Sequence, residues 1–504
     1  MGTVCPKSLG TVPPKREEKR YNALRDARRA APLEGRWKKE NMHLDENSTL
    51  PFYQQIYEHF HRGITDGTYP AKGKLPSIRG LADELRCSRN TVEAAYQLLV
   101  QEGYVASKPG SGYVIQDIRH LDNVTASRDA SAQSPQQAPK TRYDFAYGNL
   151  QAGTFPALTW RTITDDILLS VGIEAADTYT DANGEWDLRA EIAWRLSMTR
   201  GITCKPEQVI IQGGTQPSIQ NLLCLFNPET DLVAMEDPGY DAVRKVLEHS
   251  RFNITYCDVV SQTHQFIKDV EACDARLIYV TPSSQFPTAR VMGTDMRERL
   301  IAWARKNDAY ILEDDYCREF RYLDRPLPPL HTMDPDRVIY MGTFSKSVSP
   351  ALRMSYLVLP PALLERWNET FTEAYPAVPW LSQVVLTRFM KEGHRDRHLR
   401  KQQTRNKRKY ETLVDALQRT MGDRIEILKN GTGLHVLVNV LDGRSQDELI
   451  EAALAHDVRV YDTNRYWVRK DHPLAGCVLV GFSAIEEEDI VPGVEALANA
   501  WFGE

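Results

Sequence analysis

Residues 117–142 include Ser131-Ala132-Gln133-Ser134-Pro135-Gln136-Gln137-Ala138-Pro139 and almost no periodic apolar pattern, in a 504-residue chain that elsewhere has many such patterns. A stretch of this composition buries too little apolar surface to offset the ordering of its backbone, so it reads as a flexible linker. The chain is thereby divided, and the parts on either side must each fold around a core of their own.

Composition allows for two cores. Hydrophobic residues make up 42% of the chain and charged residues 26%, an ordinary globular balance. No apolar run approaches the roughly 20 residues that a membrane helix needs. The N-terminus also lacks the apolar core of a secretory signal, so a cytoplasmic protein is expected. Eight cysteines are scattered, with no C-x-x-C pair and no clustering with histidine. Reduced thiols are therefore expected, and no metal site. A net charge of −6 argues against indiscriminate nucleic-acid binding by the whole surface, while leaving room for a local basic face.

Upstream of the linker, residues 1–49 read as a disordered basic extension. Residues 1–40 hold eleven Lys or Arg against five Asp or Glu, with helix signals only across Tyr21 to Ala31. Residues 50–116 change character. Phe52, Ile56, Phe60 and Ile64 recur every four residues as one apolar helix face. Ser77 then stands as N-cap before Ile78, Leu81, Ala82 and Leu85, and Ser88 as N-cap before Val92, Ala95, Tyr96 and Leu99. Two helices separated by Arg86-Cys87 make a helix-turn-helix, and Tyr104 to Ile115 reads as a hairpin wing around Lys108-Pro109-Gly110-Ser111. In such a motif the second helix enters the major groove by its first residues, here Ser88, Arg89, Asn90 and Thr91. Arg89 suits guanine or a phosphate and Asn90 suits adenine, while Arg79 and Lys108 are placed for the backbone.

Beyond the linker, residues 143–504 alternate helical segments with short β-rich runs such as Gln208-Val209-Ile210-Ile211, Leu277-Ile278-Tyr279-Val280 and Tyr310-Ile311-Leu312. That alternation predicts an α/β domain with a largely parallel sheet. One lysine stands out. Lys346 follows the strand-like Val338-Ile339-Tyr340 within Gly342-Thr343-Phe344-Ser345-Lys346, with Arg353 seven residues on. A lysine that forms an imine must be able to lose its proton, and its hydroxyl and guanidinium neighbours suit a phosphate. An aldehyde cofactor carrying a phosphate, pyridoxal 5'-phosphate (PLP), meets both conditions.

A lone Ser-Lys is ordinarily a solvated loop, so its companions decide. Gln212-Gly213-Gly214-Thr215 joins a strand to an apolar helix and can cradle phosphate on backbone N–H groups. Tyr240, after Asp237-Pro238-Gly239, can stack on a pyridine ring. Asp314, in Glu313-Asp314-Asp315-Tyr316, can pair with a protonated pyridine nitrogen, and Tyr316 can donate to a phenolate oxygen.

Residues 50–115 closely resemble the winged helix of GntR-type bacterial regulators. The run from about Tyr143 onward resembles a fold-type I aminotransferase. The diagnostic stretches are Thr281-Pro282-Ser283-Ser284-Gln285-Phe286-Pro287-Thr288, Glu313-Asp314-Asp315-Tyr316 and Gly342 to Lys346. Joined in this order they resemble the MocR-type subfamily of GntR regulators. The resemblance implies Lys346 as Schiff-base lysine, Asp314 on the pyridine nitrogen, Tyr316 on the phenolate and Tyr240 as stacking ring. It assigns Gly214, Thr215, Ser345 and Arg353 to the phosphate, and Tyr179 to the phosphate of a neighbouring subunit in a homodimer. It further implies a regulator that binds double-stranded operator DNA and senses PLP, alone or joined to an amino-acid or amine effector as an external aldimine. The regulated genes would serve vitamin B6 or amino-acid and amine metabolism.

One departure bears on catalysis. Active relatives of this type hold the substrate carboxylate with an arginine before a Ser-Phe-Ala-like segment, whereas Cys477-Val478-Leu479-Val480-Gly481-Phe482-Ser483 has none. Sensing is therefore the preferred expectation. The alternative is an active aminotransferase carrying an auxiliary DNA-binding domain.

Overall fold

The computed structural model describes residues 42–45, 48, 50–108, 112–117, 141–170, 176–260, 264–323, 327–428, 431–469, 472, 474 and 476–503. Nearly all of the basic extension, including the Tyr21 to Ala31 segment, lies outside the described residues, as do most of the linker and the wing turn at 109–111. The chain divides into two compact units, Met1–Gln137 and Ala138–Glu504.

The described residues of the first unit hold the helices α1 (Phe52–Thr65), α2 (Ile78–Leu85) and α3 (Arg89–Gln101), and the antiparallel hairpin of β1 (Val105–Lys108) and β2 (Gly112–Ile115). Ser77 Oγ accepts from Gly80 N at 3.1 Å and Ser88 Oγ from Thr91 N at 3.1 Å, so both expected caps form. Arg86, with φ at 52°, turns the chain out of α2. Ile56, Phe60, Ile64, Val92, Tyr96 and Leu99 fill the core, but Phe52 stays 36% exposed. A strict four-residue spacing advances about 40° per step on a helix of 3.6 residues per turn. The series therefore walks off the buried face, and Phe52, at its end, is the member left outside.

The second unit opens with β3 (Tyr143–Asp144). A seven-stranded sheet follows, built from β4 (Val209–Gln212), β5 (Leu232–Asp237), β6 (Asn253–Asp258), β7 (Ala275–Val280), β8 (Tyr310–Asp314), β9 (Val338–Thr343) and β10 (Ser355–Val358). Its spatial order is β4-β10-β9-β8-β7-β5-β6, and only β10 runs against the rest. β4, β8 and β10 are buried at every residue, as expected for strands covered on both faces, which is why they read as unbroken apolar runs. The parallel strands end along one edge, at Gln212, Asp237, Val280, Asp314 and Thr343. Open α/β sheets bind ligands at that edge.

A second, four-stranded sheet is made of β11 (Ile425–Leu428), β12 (His435–Val440), β14 (Tyr461–Asp462) and β15 (Cys477–Gly481), while β13 (Val458–Arg459) pairs with β3. Gly481 N donates to Phe145 O at 2.8 Å, tying the segment after β3 to the end of β15. A Cβ at Gly481 would lie 2.4 Å from Ala146 O. Gly481→Ala should therefore destabilise this domain by roughly 1–3 kcal/mol, as overpacking does elsewhere. Chemical denaturation measures it, and an unchanged midpoint would show that the crossing is loose.

Candidate functional site

A cavity of about 170 Å³ lies at the sheet edge where the parallel strands end. Lys346, Asp314, Tyr240, Tyr316, Thr215, Ser345 and Arg353, named separately from sequence, all line it. Lys346 stands three residues beyond β9, and its Nζ donates to Gly148 O at 2.9 Å and lies 4.8 Å from the centre of the Tyr147 ring. Burial pushes its ammonium group below the usual lysine range, which favours the neutral, nucleophilic amine.

The three consecutive acids at the end of β8 are all buried, contrary to the ordinary fate of an acidic loop. Their partners separate them. Glu313 accepts from Leu330 N and His331 N, each at 3.0 Å. Asp315 pairs with Arg200 and accepts from Tyr340 Oη at 2.7 Å, and the Arg200 charge is the chief influence holding its carboxyl below the usual range against burial. Asp314 receives only the Tyr279 hydroxyl, at 2.8 Å, and no cation pairs with it among the described residues. Burial pushes its carboxyl up to about 7, helped by the neighbouring charges of Asp315 and Glu236. It is the one acid of the three whose charge is left for a ligand to meet.

The opposite wall suits a phosphate. Gly214 has φ at 110°, and a Cβ there would lie 2.4 Å from Arg353 Nη2. Its N–H donates to Ser355 Oγ at 3.1 Å, and the next residue, Thr215, opens the Thr215–Leu223 helix toward the cavity. Ser355 is available because β10 runs backwards, bringing its first residue opposite Gln212 and Thr343 at the ligand edge. Arg353 donates to Gly213 O at 3.4 Å, and Ser345 Oγ lies 3.1 Å from Thr343 Oγ1. A buried amine, an unpaired buried carboxylate and this cradle fit PLP.

The remaining expectations divide. The Tyr316 hydroxyl donates to Ser284 O at 3.0 Å, so donation to a phenolate requires it to turn away from that carbonyl. Tyr179 does not line the cavity; it is 81% exposed, with its ring 4.4 Å from that of Tyr375. Sequence reasoning missed Tyr147, Tyr279, Thr281 and Phe286 on the cavity wall. Thr281 and Phe286 stood in a diagnostic stretch without a role, and Tyr279 left a signal as a hydroxyl one residue from the end of an aliphatic strand. In the DNA-reading unit, Arg79, Ser88, Arg89 and Asn90 are exposed, but Ser88 and Thr91 spend their hydroxyls on each other and on the cap. Arg89 and Asn90 remain as the pair facing outward at the start of α3. The backbone of Lys108 pairs with Gly112 in the wing.

Residues 52–115 match the family model described as bacterial regulatory proteins, gntR family, and residues 147–497 match aminotransferase class I and II. Over 463 residues the chain is 36% identical to an uncharacterized HTH-type transcriptional regulator, YdeL of Bacillus subtilis, covering 91% of this chain and 98% of YdeL. It is 30% identical over 476 residues to the probable rhizopine catabolism regulatory protein MocR of Rhizobium meliloti, covering 91% and 95%. The chain belongs to the MocR-type GntR regulators. In this family a GntR-type unit, which binds operator DNA, is fused to a domain of the PLP-dependent aminotransferase fold. Among solved structures, α-aminoadipate aminotransferase LysN of Thermus thermophilus superposes with a TM-score of 0.63 at 24% identity, over 71% of this chain and 92% of LysN, which shows the shared fold. No helix among the described residues of this regulator is long and apolar enough to cross a membrane.

The segment before Phe482-Ser483, which carries no arginine, forms β15. Leu479 is fully buried there, packed with Phe286, Leu437 and Tyr466. Among the described residues, Arg353 is the arginine that lines the cavity. Arg244 donates to the carbonyls of Trp467 and Arg465, Arg465 pairs with Asp241 at 3.5 Å, Arg290 is exposed, and none of the three lines the cavity.

The raised carboxyl of Asp314 has a measurable consequence. An acid whose folded value, about 7, lies above its ordinary 3.8 contributes stability that is complete at acid pH and is lost as the pH rises through about 7. In cofactor-free protein above that range, Asp314→Asn should raise Tm relative to the parent, and it should weaken PLP binding. Thermal scans across pH check the sign, and a fall in Tm at alkaline pH would show that the charge is already compensated.

Proposed function

We propose that this protein is a homodimeric transcription regulator that binds PLP through Lys346 and converts its occupancy, alone or with an amino compound, into a change of operator affinity. The observation that carries this reading is the pairing within one cavity of a buried Lys346 amine with an Asp314 carboxylate that has no cation partner among the described residues. When bound, PLP supplies an aldehyde carbon for the lysine and a pyridine ring able to accept electrons. The chain's residues would hold it from three directions. Asp314 would keep the ring nitrogen protonated, Tyr240 would lie against the ring, and Thr215, Ser345 and Arg353 would bind phosphate beside Gly214, joined by Tyr179 of a second copy. Lys108 and Arg79 would contact the operator backbone while Arg89 and Asn90, held by the Ser88 cap with Thr91, read bases. We assign the DNA-binding domain to residues 50–116 and the effector domain to 143–504, joined by a flexible linker at 117–142.

Two features favour sensing over turnover. β15 has no arginine to offer a substrate carboxylate a charge-assisted bond, and its Leu479 packs in a cluster with Phe286 and Tyr466. One relative with a named role, 29% identical over 428 residues and covering 84% of this chain and 90% of its own length, is the pyridoxine biosynthesis regulator PdxR of Corynebacterium glutamicum. Genes of vitamin B6 or of amino-acid and amine metabolism are the targets this supports.

Lys346→Ala should abolish the imine absorbance band, leave the winged helix folded, and make promoter binding indifferent to PLP. A retained response would refute covalent sensing, and sustained keto-acid formation by the parent protein from an amino-acid panel would mark it as an active aminotransferase. Arg89→Ala should cost about 1–3 kcal/mol of discrimination if the contact to guanine is bidentate. Binding assays on operator variants measure this, and an unchanged base preference removes Arg89 from the reading set.

A further inference from the structure

A second cavity, of about 380 Å³, lies in the same domain and shares no lining residue with the first. Its walls include Val259, Phe266, Met292 and Met296, with two charged residues, Glu236 and Arg290, among them. Glu236, at the penultimate position of β5, is 2% exposed. Its Oε2 accepts from Thr281 Oγ1 at 2.6 Å and from Thr281 N at 3.2 Å. Its Oε1 is buried and has no hydrogen-bond partner among the described residues. A buried carboxylate oxygen without a donor costs free energy that a ligand cation can recover. Arg290 is exposed, and no ion pair engages its guanidinium among the described residues. The lining thus offers a carboxyl group with one oxygen unpartnered, an aliphatic passage and a cation.

We infer that this second cavity is a non-covalent site for a small amino acid, whose ammonium pairs with Glu236 Oε1, whose aliphatic chain lies against Phe266, Met292 and Met296, and whose carboxylate meets Arg290. An ω-amino acid carries its ammonium and its carboxylate at opposite ends of an aliphatic chain. Thr281 links the site to the cofactor cavity, because it lines that cavity while its hydroxyl and N–H are committed to Glu236. An amino compound can then act on the regulator without reacting at Lys346. This link rests on the cofactor reading; the site itself does not.

The test uses full-length protein loaded with PLP and reduced with borohydride, so that no amine can exchange at Lys346. Calorimetric titration compares 5-aminopentanoate with n-butylamine, which lacks the carboxylate, and pentanoate, which lacks the ammonium; β-alanine and 6-aminohexanoate bracket the length. We expect saturable binding of at least one ω-amino acid, weakened at least about tenfold without the ammonium, since a buried carboxylate partner is lost. Arg290→Ala should lower the affinity about two- to fivefold, to the level of the carboxylate-free amine, as an exposed ion pair would. Met296→Trp should fill the cavity and abolish binding while the reduced cofactor keeps its spectrum. Absence of binding by all three ω-amino acids, or binding indifferent to both substitutions, overturns the inference. Failure of the cofactor reading is separately visible, because no cofactor mass would then remain on the chain after reduction.

Discussion

The buried, uncompensated carboxylate of Asp314 is the constraint around which the effector domain is arranged. Burial penalises the charge there, so it is neutralised by a proton or met by a ligand. Its two neighbours in sequence show how the domain treats acids it means to keep: Glu313 takes the N–H groups of Leu330 and His331, and Asp315 takes Arg200 and Tyr340. The fold supplies three buried acids in a row and satisfies two. Lys346, held on Gly148 O across the same cavity, is the complementary half: an amine that burial disposes to be neutral and reactive.

Topology delivers these groups from distant parts of the chain. Parallel strands carry Tyr240, Thr281, Asp314 and Lys346 to one edge because each is followed by a loop on that side. The single reversed strand, β10, brings Ser355 to the same edge by its beginning instead of its end, giving the glycine turn an acceptor for Gly214 N. The crossing of Phe145 over Gly481 brings Tyr147 and Gly148 to the lysine. The rigid parts of the site are thus backbone crossings, and the side chains that face a ligand project from them.

Much of this was legible in the amino-acid sequence because the relevant signals are local. A cap serine before an apolar series, a glycine pair between strand and helix, and a carboxylate or lysine just past a strand are each readable within ten residues. Ser77, Ser88, Thr215, Asp314 and Lys346 therefore lie where expected. Tyr147, Ser355 and the free oxygen of Glu236 were not legible, since each acquires its role from a segment far away in the chain. Phe52 misled because a spacing of exactly four hides the drift of a helix with 3.6 residues per turn. For Tyr316 the position was readable but the orientation was not, because its acceptor is the carbonyl of Ser284, 32 residues earlier.

β15 carries no arginine, and every one of its residues is buried. Leu479 packs there with Phe286, Leu437 and Tyr466. Among the described lining residues the cations are Lys346 and Arg353, both of which we assign to the cofactor, in keeping with our proposal that the pocket reports occupancy. The most direct measurement is the nitrogen-15 resonance of ring-labelled PLP bound to the full-length protein at neutral pH. The account predicts the shift of a protonated pyridine nitrogen in the parent and of a neutral one in Asp314→Ala; a neutral ring nitrogen in the parent would contradict it.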